Sequence, residues 1–276
     1  MILSIINYPL SITHYSNTFG MKRLLIVLAF FTTLELSAQS TRLFNNDAKG
    51  IIYNKERAVD ARMHTHGWAA NFLLGDIQSY YKTTYYRFGI GELWSHKEVS
   101  KSANPSNSSN QGLRQYSYGK QNSAYLLRGG YGIKRYYTEK AAKNGVALAL
   151  SYSGGLSTAL MLPYYVEVGG PRDAKTTSIR YSEDTKNDFL DDQKIKGKSS
   201  FLKGAGETKF IPGIHAQIGV HIDWGAFDEF MRAVEAGIMI DIFPKKLPIM
   251  APVNGVDENR PYFFNLYVSL QLGKRN

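Results

Sequence analysis

The sequence predicts an all-β protein, an antiparallel up-and-down transmembrane barrel of about eight strands behind an N-terminal signal peptide. Three observations carry this expectation: strict alternation of apolar and polar residues, an export leader, and an uneven distribution of short turns and long loops. The alternation is clearest from Gly213 to Trp224. There Ile214, Ala216, Ile218, Val220, Ile222 and Trp224 hold one parity, and Gly213, His215, Gln217, Gly219, His221 and Asp223 the other. Successive strand side chains point to opposite faces, so the segment has one apolar and one polar face. Val234 to Ile242 repeats the pattern with Glu235, Gly237, Met239 and Asp241 opposed. Tyr262 to Leu272 closes the chain in the same way, opposed by Phe263, Asn265, Tyr267, Ser269 and Gln271.

A soluble sandwich buries its apolar face against a second sheet, whereas a membrane barrel turns that face to lipid and encloses a polar interior. The leader separates the two. Lys22 and Arg23 precede an apolar core, Leu24 to Phe31, and small residues at Ser37 and Ala38. This is the layout of a secretory signal peptide cleaved near Ala38 or Gln39. Its core is far shorter than the roughly 20 apolar residues of a spanning helix. Because the leader starts so regularly at Met21, Met1 to Gly20 reads as a mis-assigned start. Residues 1–38 are then upstream extension and signal peptide, and 39–276 the outer-membrane barrel.

Composition agrees. There are 19 Tyr, 14 Phe, 25 Gly and no Cys, which excludes disulfides, thiolate metal sites and a lipoprotein anchor. Aromatic residues collect in girdles at the two interfaces of membrane barrels. The formal charge of +10 is scattered rather than striped, and an exported chain meets no nucleic acid. The charge instead suits the phosphate-bearing lipid or lipopolysaccharide of an outer leaflet.

In chain order, a first strand of weak alternation lies within Ile51 to Met63 and a second at Trp68 to Leu74, joined by a turn at His66-Gly67. A long strand follows over Thr83 to Ser100. Residues 101–122 form a polar loop rich in Ser and Asn between Ser102 and Asn110. Ala124 to Tyr137 is a strand, Lys143-Asn144-Gly145 a hairpin turn, and Val146 to Val168 a strand that Gly154-Gly155 is expected to bend or bulge. Residues 169–210 make a long charged loop with nine basic and seven acidic residues, well beyond ordinary loop length. Ala251 to Arg260 is the last sizeable loop. Short turns at Tyr80, Asn144 and Asp228 alternate with long loops, as in outer-membrane barrels. The count is eight strands, with ten as the rival.

If lipid takes the apolar parity, the lumen receives Arg87, Arg128, Lys134, His215, Gln217, His221, Asp223, Glu235 and Asp241. An eight-stranded barrel is just wide enough for side chains to fill it, so the expectation is a lumen closed by opposite charges rather than an open pore. No catalytic residue is assigned; His221, Asp223 and His64 are the candidates a lipid-modifying reaction would use. His221 and Asp223 share a face two positions apart, in the manner of an oriented base, yet no Ser nucleophile accompanies them and a plain polar network is the simpler reading. His64 and His66 fall on one face without a third metal ligand. Asp188, Asp191 and Asp192 lack the glycine and closing Glu of a calcium loop. No metal or cofactor is implied.

The run His14-Tyr15-Ser16-Asn17 resembles the short motif of lipid A deacylases, themselves eight-stranded outer-membrane barrels, but it lies upstream of the leader and supports no deacylase reading. Tyr53-Asn54-Lys55-Glu56, His64-Thr65-His66-Gly67, His96-Lys97-Glu98 and Tyr118-Gly119-Lys120-Gln121-Asn122, with the Ala38-Gln39 leader exit and the terminal strand, resemble a family of small porin-like outer-membrane barrels of Bacteroidota. The resemblance implies the location and the fold and carries no reaction. The ending Gly273-Lys274-Arg275-Asn276 departs from the terminal aromatic residue of many barrels. The expected role is structural or accessory in the cell envelope, with the long loops meeting lipid or a protein partner. Alternatives are a lipid A-modifying enzyme of the deacylase or acyltransferase type, a small porin, and a secreted soluble sandwich.

Overall fold

A computed structural model describes residues 53–103, 114–138, 146–169, 176–225, 228–252 and 259–276, without the side chain of residue 202. The leader, the His14 run, residues 39–50 and the Lys143-Asn144-Gly145 turn lie outside the described residues. Thirteen strands occur among those described: β1 Lys55–His64, β2 Gly67–Ser79, β3 Lys82–Leu93, β4 Val99–Ser102, β5 Gln115–Tyr118, β6 Asn122–Tyr136, β7 Ala147–Pro163, β8 Tyr165–Val168, β9 Thr177–Arg180, β10 Ile195–Lys198, β11 Lys209–Asp223, β12 Phe230–Ile242 and β13 Tyr262–Arg275. Eight of them close an antiparallel barrel in the order β1-β13-β12-β11-β7-β6-β3-β2.

The burial pattern is inverted relative to a soluble protein. In β13, Phe264, Leu266, Val268, Leu270 and Leu272 are exposed on the outside, while Asn265, Ser269 and Gln271 are buried within. Val59, Phe72, Phe88, Leu156, Ile218 and Ile238 continue the apolar exterior around the wall. In water this band would cost far more than a single-chain fold recovers, so the wall is built for hydrocarbon. Trp68, Trp94, Phe210 and Tyr262 are exposed toward one rim, and Tyr137, Trp224 and Phe230 toward the other, the aromatic placement of a transmembrane barrel.

One rim carries the tight turns after Ser79 and Asp223, and the opposite rim carries the segments 94–121, 164–208 and 243–261. That loop rim also holds one tight turn, Thr65-His66, whose ends pair as His64↔Gly67.

Several expected boundaries move. The strand expected over Thr83 to Ser100 stops at Leu93, and β4 pairs with β5 in a separate hairpin above the wall. The strand expected through Val168 ends at Pro163, because Pro cannot donate to a ladder, and β8 joins a three-stranded sheet, β10-β8-β9. The charged segment 169–210 is thus built rather than featureless, with a short helix α1, Lys186–Phe189, and a 3-10 turn, Phe201–Glu207. Phe189 and Ile195 of this segment pack with Tyr116 of β5, with Tyr164, and with Val166 of β8 in a small core separate from the lumen.

Gly154-Gly155 makes no bulge: β7 keeps continuous register with β6 and β11 across both. Gly155 serves close approach instead. A Cβ on Gly155 would sit 2.1 Å from the Gly129 carbonyl oxygen.

Candidate functional site

The inward side chains fall into layers, beginning at the turn rim. Glu56 of β1 accepts from Lys134 Nζ of β6 at 2.8 Å and from Arg275 Nε of β13 at 3.0 Å. Arg275 Nη2 reaches on to Asp223 Oδ2 of β11 at 2.6 Å. Asp223 also accepts from the Gly225 backbone N–H at 2.8 Å.

The middle layer is centred on Glu235 and Asp60. Tyr267 Oη donates to Glu235 at 2.7 Å and Gln271 Nε2 at 3.0 Å. Arg87 stands 3.5 Å and Arg62 3.7 Å from the same carboxylate. Asp60 holds Arg62 at 3.0 Å and accepts from Asn71 Nδ2 at 3.0 Å. Arg62 also donates to Gln217 Oε1 at 2.7 Å and lies over the Tyr267 ring at 4.0 Å. Above this, Arg128 and Asp241 form a two-pronged pair, both contacts 2.9 Å.

His215 faces the lumen beside Gly130, whose missing side chain makes room for it: a Cβ there would lie 3.1 Å from His215 Nε2. His221 is opposite Glu235 in register, with its Nδ1 3.4 Å from the carboxylate. His221 and Asp223 are therefore not joined as an oriented pair. The carboxylate beside His221 belongs to Glu235, and that of Asp223 serves Arg275 and Gly225. His64 is buried at the inward loop rim, whereas His66 in the turn is half-buried.

Five acids (Glu56, Asp60, Asp223, Glu235, Asp241) and five bases (Arg62, Arg87, Arg128, Lys134, Arg275) are buried in the barrel strands. The lumen is thus formally neutral with its histidines uncharged, the condition under which buried ions are tolerated. Glu56, Asp60, Arg62 and Arg275 join the lumen residues expected from alternation. For the three β1 residues the signal is the polar parity Glu56, Asp60, Arg62 and His64, which Arg57 on the opposite parity obscures.

Over the ionic layers lies an apolar plug. Leu93, Ala124, Leu126, Ala159, Met161 and Phe263 from the wall pack with Phe243, Leu247 and Ile249 of the β12–β13 loop. That loop crosses the mouth and is fastened to the start of β6, where Gln121 and Asn122 N–H groups donate to the Ile249 carbonyl at 2.8 and 3.2 Å. Asn259 accepts from the Ile249 and Met250 N–H groups, each at 3.0 Å, and donates back to the Met250 carbonyl.

The sequence motifs meet at this rim. Glu98 accepts from Lys120 Nζ at 2.7 Å, joining the second and third loop-rim motifs. Asp192 holds Lys101 and accepts from Tyr116 at 3.1 Å, while Asp188 takes Lys194 at 2.6 Å. The three aspartates thus pair with lysines and do not converge on a calcium position. Burial, then Asp192, pushes the Tyr116 hydroxyl above its usual range. At the Thr65-His66 turn, burial lowers the His66 pKa, with His96 and Arg260 acting in the same direction against the Asn265 hydrogen bond.

No protein-family model and no curated protein sequence matches this chain. Among solved structures it is similar to Neisserial surface protein A, with 8% identity, a TM-score of 0.37, and coverage of 81% of this chain and 97% of that one. It is also similar to the N-terminal β-barrel domain of Pseudomonas aeruginosa OprF, with 8% identity, a TM-score of 0.34, and coverage of 81% and 98%. The class rests on this chain's own geometry: an eight-stranded, closed, antiparallel transmembrane β-barrel.

Proposed function

We propose that this chain is an exported outer-membrane barrel that conducts no solute and serves a structural or accessory role in the cell envelope. The carrying observation is the lumen, where neutral ionic layers lie beneath an apolar plug and set side chains across the cross-section. The leader at Lys22 to Ala38 supports export, and the turn rim would then face the periplasm and the loop rim the outside. Kinship with the Bacteroidota barrels rests on the resemblance of the Tyr53–Glu56, His64–Gly67, His96–Glu98 and Tyr118–Asn122 motifs and is part of this proposal.

The contact surface of this reading is the cap built by β4, β5, β8, β9 and β10, which has its own core and carries both signs at its surface, Lys101 with Asp192, Arg114 with Glu167 and Lys194 with Asp188. Its partner is the anionic head-group layer of the outer leaflet, or a protein of the envelope bound through the same loops. His221 is fully buried with its neighbouring carboxylate held by two arginines, so the reading assigns it no catalysis.

Reconstitution into planar bilayers tests the central point. Silent membranes at saturating insertion are expected, and stable, large single-channel steps would replace the reading with a small porin.

A further inference from the structure

Two histidine-bearing motifs, His64-Thr65-His66-Gly67 and His96-Lys97-Glu98, are not accounted for by the lumen. They are about 30 residues apart in a chain whose strands rise roughly 3.4 Å per residue, yet the fold returns His96 to the Thr65-His66 turn. The ring centroids of His66 and His96 stand 4.0 Å apart with planes tilted by 53°.

His66 is held for a purpose beyond stacking. Its Nδ1 lies 2.7 Å from Asn265 Oδ1 of β13 and 3.3 Å from Thr65 Oγ1; the amide oxygen can only accept, so this contact calls for the Nδ1–H tautomer, in which Nε2 keeps its lone pair. The edge contact with Phe263, at 5.8 Å between centroids, fixes the ring from a second side. An imidazole whose far nitrogen is tied to an amide oxygen is the arrangement found behind metal-ligating histidines, where the tie sets the tautomer and aims the other nitrogen.

We propose that His66 and His96 form a surface site for a borderline divalent transition-metal ion, Cu²⁺, Ni²⁺ or Zn²⁺, at the loop rim. Imidazole nitrogen is a preferred donor for these ions. Metal–nitrogen bonds of about 2.0–2.1 Å would set two ring centroids about 4.5 Å apart when the rings meet the ion at right angles. The observed spacing is within about half an ångström of that value, a movement the exposed loop bearing His96 can supply. Among the described residues no group of three or more His, Cys, Asp or Glu side chains converges. The site is therefore open, with its remaining positions left to water or an outside donor, and suits capture of an ion rather than its permanent storage.

The chain makes the test clean. It has no Cys, His64, His215 and His221 are buried at 8%, 5% and 0% exposure, and a His14→Ala background removes the one histidine outside the described residues. Barrel purified without a histidine tag and folded in detergent is titrated with Cu²⁺ and examined by electron paramagnetic resonance. Saturation near one ion per chain, with nitrogen splitting from two imidazoles, is expected. His66→Ala and His96→Ala should each weaken binding at least about tenfold, and Asn265→Ala about 10–100-fold through loss of the orienting bond. Lys97→Ala should leave it unchanged. A one-nitrogen spectrum in the unaltered chain, or affinity that survives either histidine substitution in protein that still shows the mobility shift of a folded barrel on unheated gels, overturns the proposal.

Discussion

Glu235→Gln tests whether the ionic layers hold the barrel together. The substitution keeps the side chain's shape and one acceptor but removes the charge that faces Arg87 at 3.5 Å and Arg62 at 3.7 Å. Arg62 retains Asp60 at 3.0 Å, whereas Arg87 is left with Asp60 at 3.9 Å. At an effective dielectric of about 20, a unit pair 3.5 Å apart is worth about 5 kcal/mol. Breaking a buried pair by removing one partner costs about 3–5 kcal/mol in measured systems. Unfolding from lipid vesicles in guanidinium, followed through the tryptophans, should therefore shift its midpoint down. With a slope of about 4 kcal/mol per molar, the shift is about 1 M. The double variant Glu235→Gln with Arg87→Gln restores neutrality and should recover part of the loss. A midpoint change under about 0.2 M for the single variant, or strict additivity in the double, would refute the idea that these charges support one another.

Other consequences can be checked separately. Leu247→Ala removes a fully buried plug side chain and should cost about 2–5 kcal/mol, seen as faster proteolysis within 243–261 while the barrel stays folded. Gly155→Ala pushes a Cβ to 2.1 Å from the Gly129 carbonyl oxygen and 2.4 Å from Gly130 Cα. Because both obstacles are backbone, the heat-modifiable folded species should disappear from gels. The His66 pKa is lowered from its ordinary 6.5, so the unfolded turn takes up a proton first. The stability His66 contributes to the loop rim is thus present above pH 6.5 and falls as pH drops below it. Hydrogen exchange at the Thr65-His66 turn should speed up from pH 7 to pH 5 after correction for intrinsic rates, and His66→Gln should flatten that dependence.

Alternation makes the wall legible in the sequence because a barrel strand has only two sides, and hydrocarbon on one of them forces period two. Ile214 to Trp224 and Tyr262 to Leu272 are therefore readable residue by residue. The ends of strands are less so. Tyr165 to Val168 and Val99 to Ser102 keep the strand composition, and only the tertiary pairing moves them from the wall into the cap. The lumen partners are harder still. Parity says that Lys134 and Glu235 face inward, but that Lys134 meets Glu56 and Glu235 meets Arg87 depends on barrel closure across 78 residues in one case and on the stagger of the strands in the other. The plug is hidden because Pro244-Lys245-Lys246 and Pro248 interrupt any periodicity around Phe243, Leu247 and Ile249, and only the fold shows these three turning inward over the mouth.

The pairing pattern of the lumen bears on how such a wall can be assembled. Lys134–Glu56, Arg128–Asp241, Arg87–Glu235 and Arg275–Asp223 each connect strands that are not neighbours in the sheet. No single hairpin carries its own neutralising partner for these groups. A half-built sheet would present bare guanidinium and carboxylate to oil, so entry into the bilayer and curling of the ribbon onto itself must proceed as one coupled event, with ion pairing as the signal that the cylinder has shut.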